Sequence, residues 1–181
     1  MDNLPLKLIK LKRHEDHRGF FSEIYSKKNY KEIGIDIDFV QENQSFSRNI
    51  GTLRGLHFQS PAAAQGKLVR CSSGSIYDVA VDIRIGSPTY GDWYGYELSE
   101  ENGLQLFIPI GYAHGFVTLK QNTEVIYKCT NYYSPENEGA IHWDSCGIKW
   151  PIKNSLTISD KDQIAPNFID LKSPFAFGEN S

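Results

Sequence analysis

The chain has 181 residues, 23% charged and 13% aromatic, with a formal net charge of −3. That is the composition of one ordinary folded domain with a substantial core. It argues against a general nucleic-acid surface, and no run of about 18 apolar residues is present to span a membrane.

The opening residues, MDNLPLKLIKLKRHEDHRG, hold a brief mixed apolar stretch and no small-residue cleavage site, so they do not read as a signal peptide. Three scattered cysteines (Cys71, Cys129 and Cys146) lack CxxC spacing. They read as reduced, mostly buried thiols of a cytoplasmic protein, neither a zinc site nor a disulfide framework.

Alternating patterns predict a first strand over Leu4 to Lys12, a polar turn over His14 to Gly19 with solvated His14 and His17, and a strand over Phe20 to Tyr25. Ser26 to Gly34 fits a short helix capped by Ser26 and stopped by Gly34. Phe39 to Asn43 is extended. It leads into GTLRGLHFQSPAAAQGKLVR (Gly51 to Arg70), where two apolar runs carry Arg54, His57 and Lys67 around a small-residue loop, Ser60 to Gly66.

Ser75 to Arg84 alternates cleanly, Tyr77, Val79, Val81 and Ile83 on one face and Asp78 and Asp82 on the other. Turn clusters at Gly86 to Trp93, Ser99 to Gly103 and Pro109 to Gly111 separate further strands at Tyr94 to Leu98, Leu104 to Ile108 and Tyr112 to Leu119. Another runs from Thr123 to Thr130, with Tyr127 and Cys129 on one face and Lys128 opposite. From Tyr132 the chain is loop-rich, with Trp143 and Trp150 as anchors and a short helical turn over Ile158 to Asp162. The pattern is all-β, a sandwich or barrel, in one domain over 1–181, with an unassigned tail from about residue 172.

A metal centre is disfavoured, because HFQ puts Gln59 where an HxH pair would place its second ligand, and His114 has no histidine beside it. No GxSxG elbow, Walker loop or dinucleotide fingerprint is present. What remains is acid–base chemistry without a cofactor: a base of near-neutral pKa, an orienting group, an opposed acid and a cationic clamp. His57 is the natural base. A carboxylate such as Asp162 can orient it, and a tyrosine can be the acid.

LRGLHFQ (Leu53 to Gln59), QGKLVRC (Gln65 to Cys71), YDVAVDIR (Tyr77 to Arg84), SPTYGDW (Ser87 to Trp93), GYAHGFVTL (Gly111 to Leu119), YKCTNYYSPENEG (Tyr127 to Gly139) and ISDKD (Ile158 to Asp162) resemble, collinearly, the dTDP-4-dehydrorhamnose 3,5-epimerase family. The resemblance implies a double-stranded β-helix (cupin jelly roll) with a few short helical turns, a homodimer, no metal or organic cofactor, and a nucleotide-sugar substrate. By the same resemblance His57 is the general base, Asp162 its partner, Tyr127 the acid on the other face of the sugar, and Lys67 lies near the enolate and the phosphates. Arg54 and His114 would hold the diphosphate. Arg18, Glu23, Gln41 and Asn43 would surround the nucleoside, with Tyr133 stacking on the base and Glu138 on the substrate rim. A family aromatic is replaced by Ser22. Single-centre epimerases, epimerases of other nucleotide sugars, and a non-catalytic sugar-nucleotide-binding cupin are the competing readings.

Overall fold

A computed structural model describes residues 5–178. Among these residues, twelve strands make up most of the regular secondary structure. The first is β1 (Lys7–Lys10), followed by β2 (His14–Asp16) and β3 (Gly19–Phe21), and then helix α1 (Lys27–Glu32). After it come β4 (Gln41–Ser47), β5 (Leu53–Gln59), β6 (Lys67–Ser73) and β7 (Ser75–Asp82). They continue with β8 (Trp93–Ser99), β9 (Leu104–Ile108), β10 (Tyr112–Thr118), β11 (Thr123–Cys129) and β12 (Glu138–Ala140), and a one-turn helix α2 (Asp160–Gln163) closes the series. Two five-stranded antiparallel sheets, ordered β1-β9-β6-β11-β4 and β12-β5-β10-β7-β8, form the jelly roll expected from the sequence.

The alternation of β7 explains the layering. Ile76 and Ala80 join Val69, Leu106, Phe116 and Val125 in one buried cluster. Val79, Val81 and Ile83 join Leu53, Ile141, Ile148, Trp150 and Phe175 in another. The second face of the β5–β10–β7 sheet is thus covered by the irregular C-terminal third of the chain. Trp150 is one of its anchors, its indole N–H donating to the Trp143 carbonyl at 3.0 Å. Asp82, directed opposite to Val81, bonds within the fold as expected: Arg84, Ser87 and Thr89 all donate to its carboxylate.

Several boundaries differ from expectation. Leu4 lies outside the described residues, and the first strand starts at Lys7. His14 to Gly19 is part of a hairpin rather than a plain turn, and the strand that begins there stops at Phe21, with Phe20 and Phe21 exposed. Helix α1 is shorter than Ser26 to Gly34. Ser26 stands at its N-cap without a side-chain bond, though its carbonyl accepts from Tyr30 N–H at 2.9 Å. Gly34, at φ +82°, takes the left-handed conformation that ends the helix. Extended structure reaches Ser47, four residues beyond Asn43, because β4 pairs with β11 along its whole length.

The tail that had no sequence assignment packs back onto the fold. Ile85 N–H donates to the Phe175 carbonyl, and Phe177 N–H to that of Ile85, both at 2.9 Å. Phe175 is buried, edge-on to Phe58 with ring centroids 6.0 Å apart.

Candidate active site

Strands β5 and β10 approach unusually closely where the polar residues of the cleft emerge. A Cβ at Gly55 would lie 2.6 Å from the Gly115 Cα and 2.7 Å from the His114 carbonyl, so only glycine fits. The register between the two strands shifts at this place, and His57 and His114 sit opposite each other.

A cleft of ≈ 520 Å³ opens here, lined by Arg54, His57, Lys67, His114, Tyr127 and Asp162 among others. A second, of ≈ 370 Å³, shares His57, Lys67 and Tyr127 with it and extends to Gln41, Asn43, Tyr133 and Glu138. The two walls come from different sheets. His57 stands on β5 and Tyr127 on β11, so the imidazole and the phenol face the cleft from opposite sides.

His57 Nε2 lies 2.6 Å from Asp162 Oδ1, and Asp162 Oδ2 accepts the Gly55 N–H at 3.3 Å. The Ser159 hydroxyl, capping α2, accepts the Asp162 N–H and fixes the carboxylate's carrier. Burial works to raise the Asp162 carboxyl, but the bonds from His57, Gly55 and Ser159 outweigh it and hold the group below its usual range. An ionised Asp162 keeps the imidazole proton on Nε2. Nδ1 then carries the free lone pair.

Tyr127 is pushed the other way. Burial raises its phenol above the ordinary value, aided by Cys129 and opposed by the Arg54 cation and Asn43, so it stays protonated at neutral pH. Lys67, partly buried, makes no hydrogen bond or ion pair with another described side chain. Burial lowers its ammonium, while Cys129, Asp78 and Glu138 counteract the drop.

His114 is 6% exposed, and its Nε2 lies 2.7 Å from Asp78 Oδ1. It is therefore both a satisfied buried histidine and a lining residue of the larger cleft. The bond to Asp78, on the inward face of β7, shows that this strand supplies a carboxylate to the site as well as to the core.

The remaining predicted positions fall into two groups. Gln41, Asn43, Tyr133 and Glu138 are brought together: Tyr133 N–H donates to Gln41 Oε1, the Tyr133 hydroxyl donates to Glu138 Oε2, and Gln41 Nε2 donates to Asn43 Oδ1, all at 3.0 Å. Arg18 and Glu23 line neither cleft of their own chain. Arg18 is exposed and tied to Asp16 at 2.6 Å, and Glu23 accepts from Asn29.

Sequence reading missed Asp78 as the partner of His114, Ser45 in the cleft wall, and Lys161, which pairs with Glu138. The alternation of YDVAVDIR put Asp78 on the face opposite Val79 and Val81, but did not show that this face is buried or that it meets a histidine. No sequence signal joined Lys161 to a residue on another strand.

Residues 5–170 match the model of the dTDP-4-dehydrorhamnose 3,5-epimerase family. The chain is 48% identical over 174 residues to the dTDP-4-dehydrorhamnose 3,5-epimerase of Sinorhizobium fredii (strain NBRC 101917 / NGR234), covering 95% of this chain and 89% of that protein. It is 54% identical over 154 residues to the enzyme of the same name from Salmonella typhimurium, covering 83% and 84%. Among solved structures it resembles the Legionella pneumophila dTDP-6-deoxy-D-glucose-3,5-epimerase in complex with dTDP-4-keto-L-rhamnose. The TM-score is 0.86 at 48% identity, over 90% of this chain and 87% of that one.

Proposed function

Because this chain belongs to the dTDP-4-dehydrorhamnose 3,5-epimerase family, we propose that it inverts C3 and C5 of dTDP-4-dehydro-6-deoxy-D-glucose to give dTDP-4-dehydro-L-rhamnose, with His57 as base and Tyr127 as acid. The observation that carries the assignment is the placement of those two groups on opposite sheets across one cleft. An epimerase needs a base on one face of the sugar and a proton donor on the other.

A proton alpha to the C4 ketone is removable because the carbanion delocalises onto oxygen as an enolate. His57, neutral and held through Nε2 by Asp162, takes it at Nδ1. The positive charge that forms on the ring is stabilised by the adjacent carboxylate. Lys67, with no competing side-chain partner among the described residues, supplies a cation to the enolate oxygen, a contact that contributes several kcal/mol where water is excluded. Tyr127, kept protonated, then delivers a proton from the other side. Repetition at the second carbon completes the change.

Arg54, at the cleft edge, and His114 are assigned to the diphosphate, and Gln41, Asn43, Tyr133 and Glu138 to the nucleoside end. We assign Arg18 and Glu23 to the site of a second copy. The β2–β3 hairpin carries Phe20 and Phe21, 56% and 70% exposed, next to Arg18, an apolar surface that packing on a like subunit would cover. No metal or organic cofactor enters this scheme.

Incubation with the 4-keto nucleotide sugar in deuterated water, followed by NMR, tests the function. Deuterium at both C3 and C5 with appearance of the L-rhamno product is the expected result. Incorporation at one carbon identifies a single-centre epimerase, and none at either carbon a binding protein.

A further inference from the structure

We propose that Lys161 is a positioning residue which, by holding Glu138 in an ion pair, sets the charge that His57 meets when it takes up a proton. The proposal rests on the reading of His57 as the base and adds a residue to it. Lys161 stands on α2 immediately before Asp162, and its Nζ is 2.5 Å from Glu138 Oε2. Glu138 opens β12, the strand that pairs with β5 so that Glu138 faces Gln59 and Ala140 faces His57.

Two carboxylates therefore lie near one imidazole. Asp162 is bonded to it directly, and Glu138 lines the smaller cleft with it. Of the bridging pair, Glu138 is the more buried, with its side chain 20% exposed against 53% for Lys161. Burial works to raise Glu138, but Lys161, Tyr133 and His57 together hold it ionised. Lys161 thus keeps a nearby negative charge compensated. Without the lysine, the imidazolium would face a second free carboxylate.

The other charged or titratable groups around His57 are Lys67 from β6, Tyr127 from β11, Arg54 from β5 itself, and His114 from β10 with its partner Asp78. None of them hydrogen-bonds to the bridge, so substitution at Lys161 or Glu138 changes the local charge and leaves these groups in place. Tyr133 does touch the bridge, through Glu138. Its N–H reaches Gln41, so the polar chain spans the cleft mouth from α2 to β4.

The test compares two substitutions that break the same bridge with opposite residual charge. In Lys161→Met the uncompensated Glu138 favours the imidazolium, and the acid limb of kcat/KM, which reports the base of the free enzyme, moves up by about 0.5 pH unit. In Glu138→Gln the unpaired Lys161 moves it down by about as much. Exchanging the charges, Lys161→Glu with Glu138→Lys, brings the limb back toward that of the unsubstituted protein. Loss of a merely structural brace would slow both variants without shifting the limb in opposite directions. The His57 imidazole titration, followed by NMR in the free protein, gives the same pair of shifts without turnover. A failure of His57 as base therefore remains distinguishable from a failure of the bridge. Titrations that are unchanged, or that move the same way in both variants, overturn the proposal.

Discussion

Asp162 and His57 are 105 residues apart in the chain and 2.6 Å apart in the cleft. The contact depends on a four-residue helix whose cap, Ser159, fixes the carboxylate and whose neighbour Lys161 ties it to β12. An ionised carboxylate at Nε2 determines which ring nitrogen is available as base. Asp162→Asn keeps the shape, but its amide can bond Nε2 in either tautomer. We predict a fall in kcat of about 100-fold or more, with a much smaller change in KM. Steady-state kinetics across pH checks this, and an unchanged kcat would remove Asp162 from the mechanism.

The hairpin predicts quaternary structure. Arg18 and Glu23 stand apart from their own chain's clefts, beside exposed Phe20 and Phe21. Sedimentation at micromolar concentration is expected to give a dimer, and Phe21→Glu to weaken it. Arg18→Ala should raise KM, whereas His57→Ala should abolish kcat. Refolding the two variants together should create mixed dimers with one complete site, and activity at low substrate above the sum of the separate preparations. No gain on mixing would place Arg18 outside the partner's site.

Asp82 gives a stability prediction separate from the cleft. Burial acts to raise this carboxyl, but Arg84, Ser87 and Thr89 outweigh it and hold it below the ordinary range. A carboxyl lowered in the folded state contributes stability that is fully present above its unfolded value, near pH 4, and is lost as pH falls through the folded value. Asp82→Asn leaves Arg84 with a broken pair and should cost about 3 kcal/mol at pH 7. The difference from the unsubstituted protein should narrow below about pH 4. Urea unfolding at pH 7 and pH 3 measures both, and a pH-independent difference would rule out the linkage.

The sequence carried much of this arrangement because alternation on strands is a local signal. The division of β7 into two faces, the apolar runs of β5 and β6, and the separation of Tyr127 and Cys129 from Lys128 were all readable from it; that both faces of β7 are buried was not. The contacts between distant segments were not. The Asp78–His114 pair, the Lys161–Glu138 bridge and the packing of Phe175 on Phe58 depend on how the loop-rich C-terminal third lies over one sheet and how facing strands register. Neither is encoded in any short window. The family resemblance supplied the roles of His57, Tyr127 and Asp162, and the fold brings those three to one cleft. Arg18 and Glu23 show the reverse: matched motif positions that the single chain leaves apart from that cleft.

Solvent exchange in Tyr127→Phe separates the work of the base on one wall from that of the acid on the other. The substitution removes the phenolic proton and keeps the ring. With His57 intact, this variant should still exchange substrate protons with deuterated water, while formation of the inverted product falls by about 100-fold or more. His57→Ala should show neither exchange nor product. Tyr127→Phe that forms the L-rhamno product at the unsubstituted rate would remove Tyr127 as the acid, since the inverting proton would then come from elsewhere.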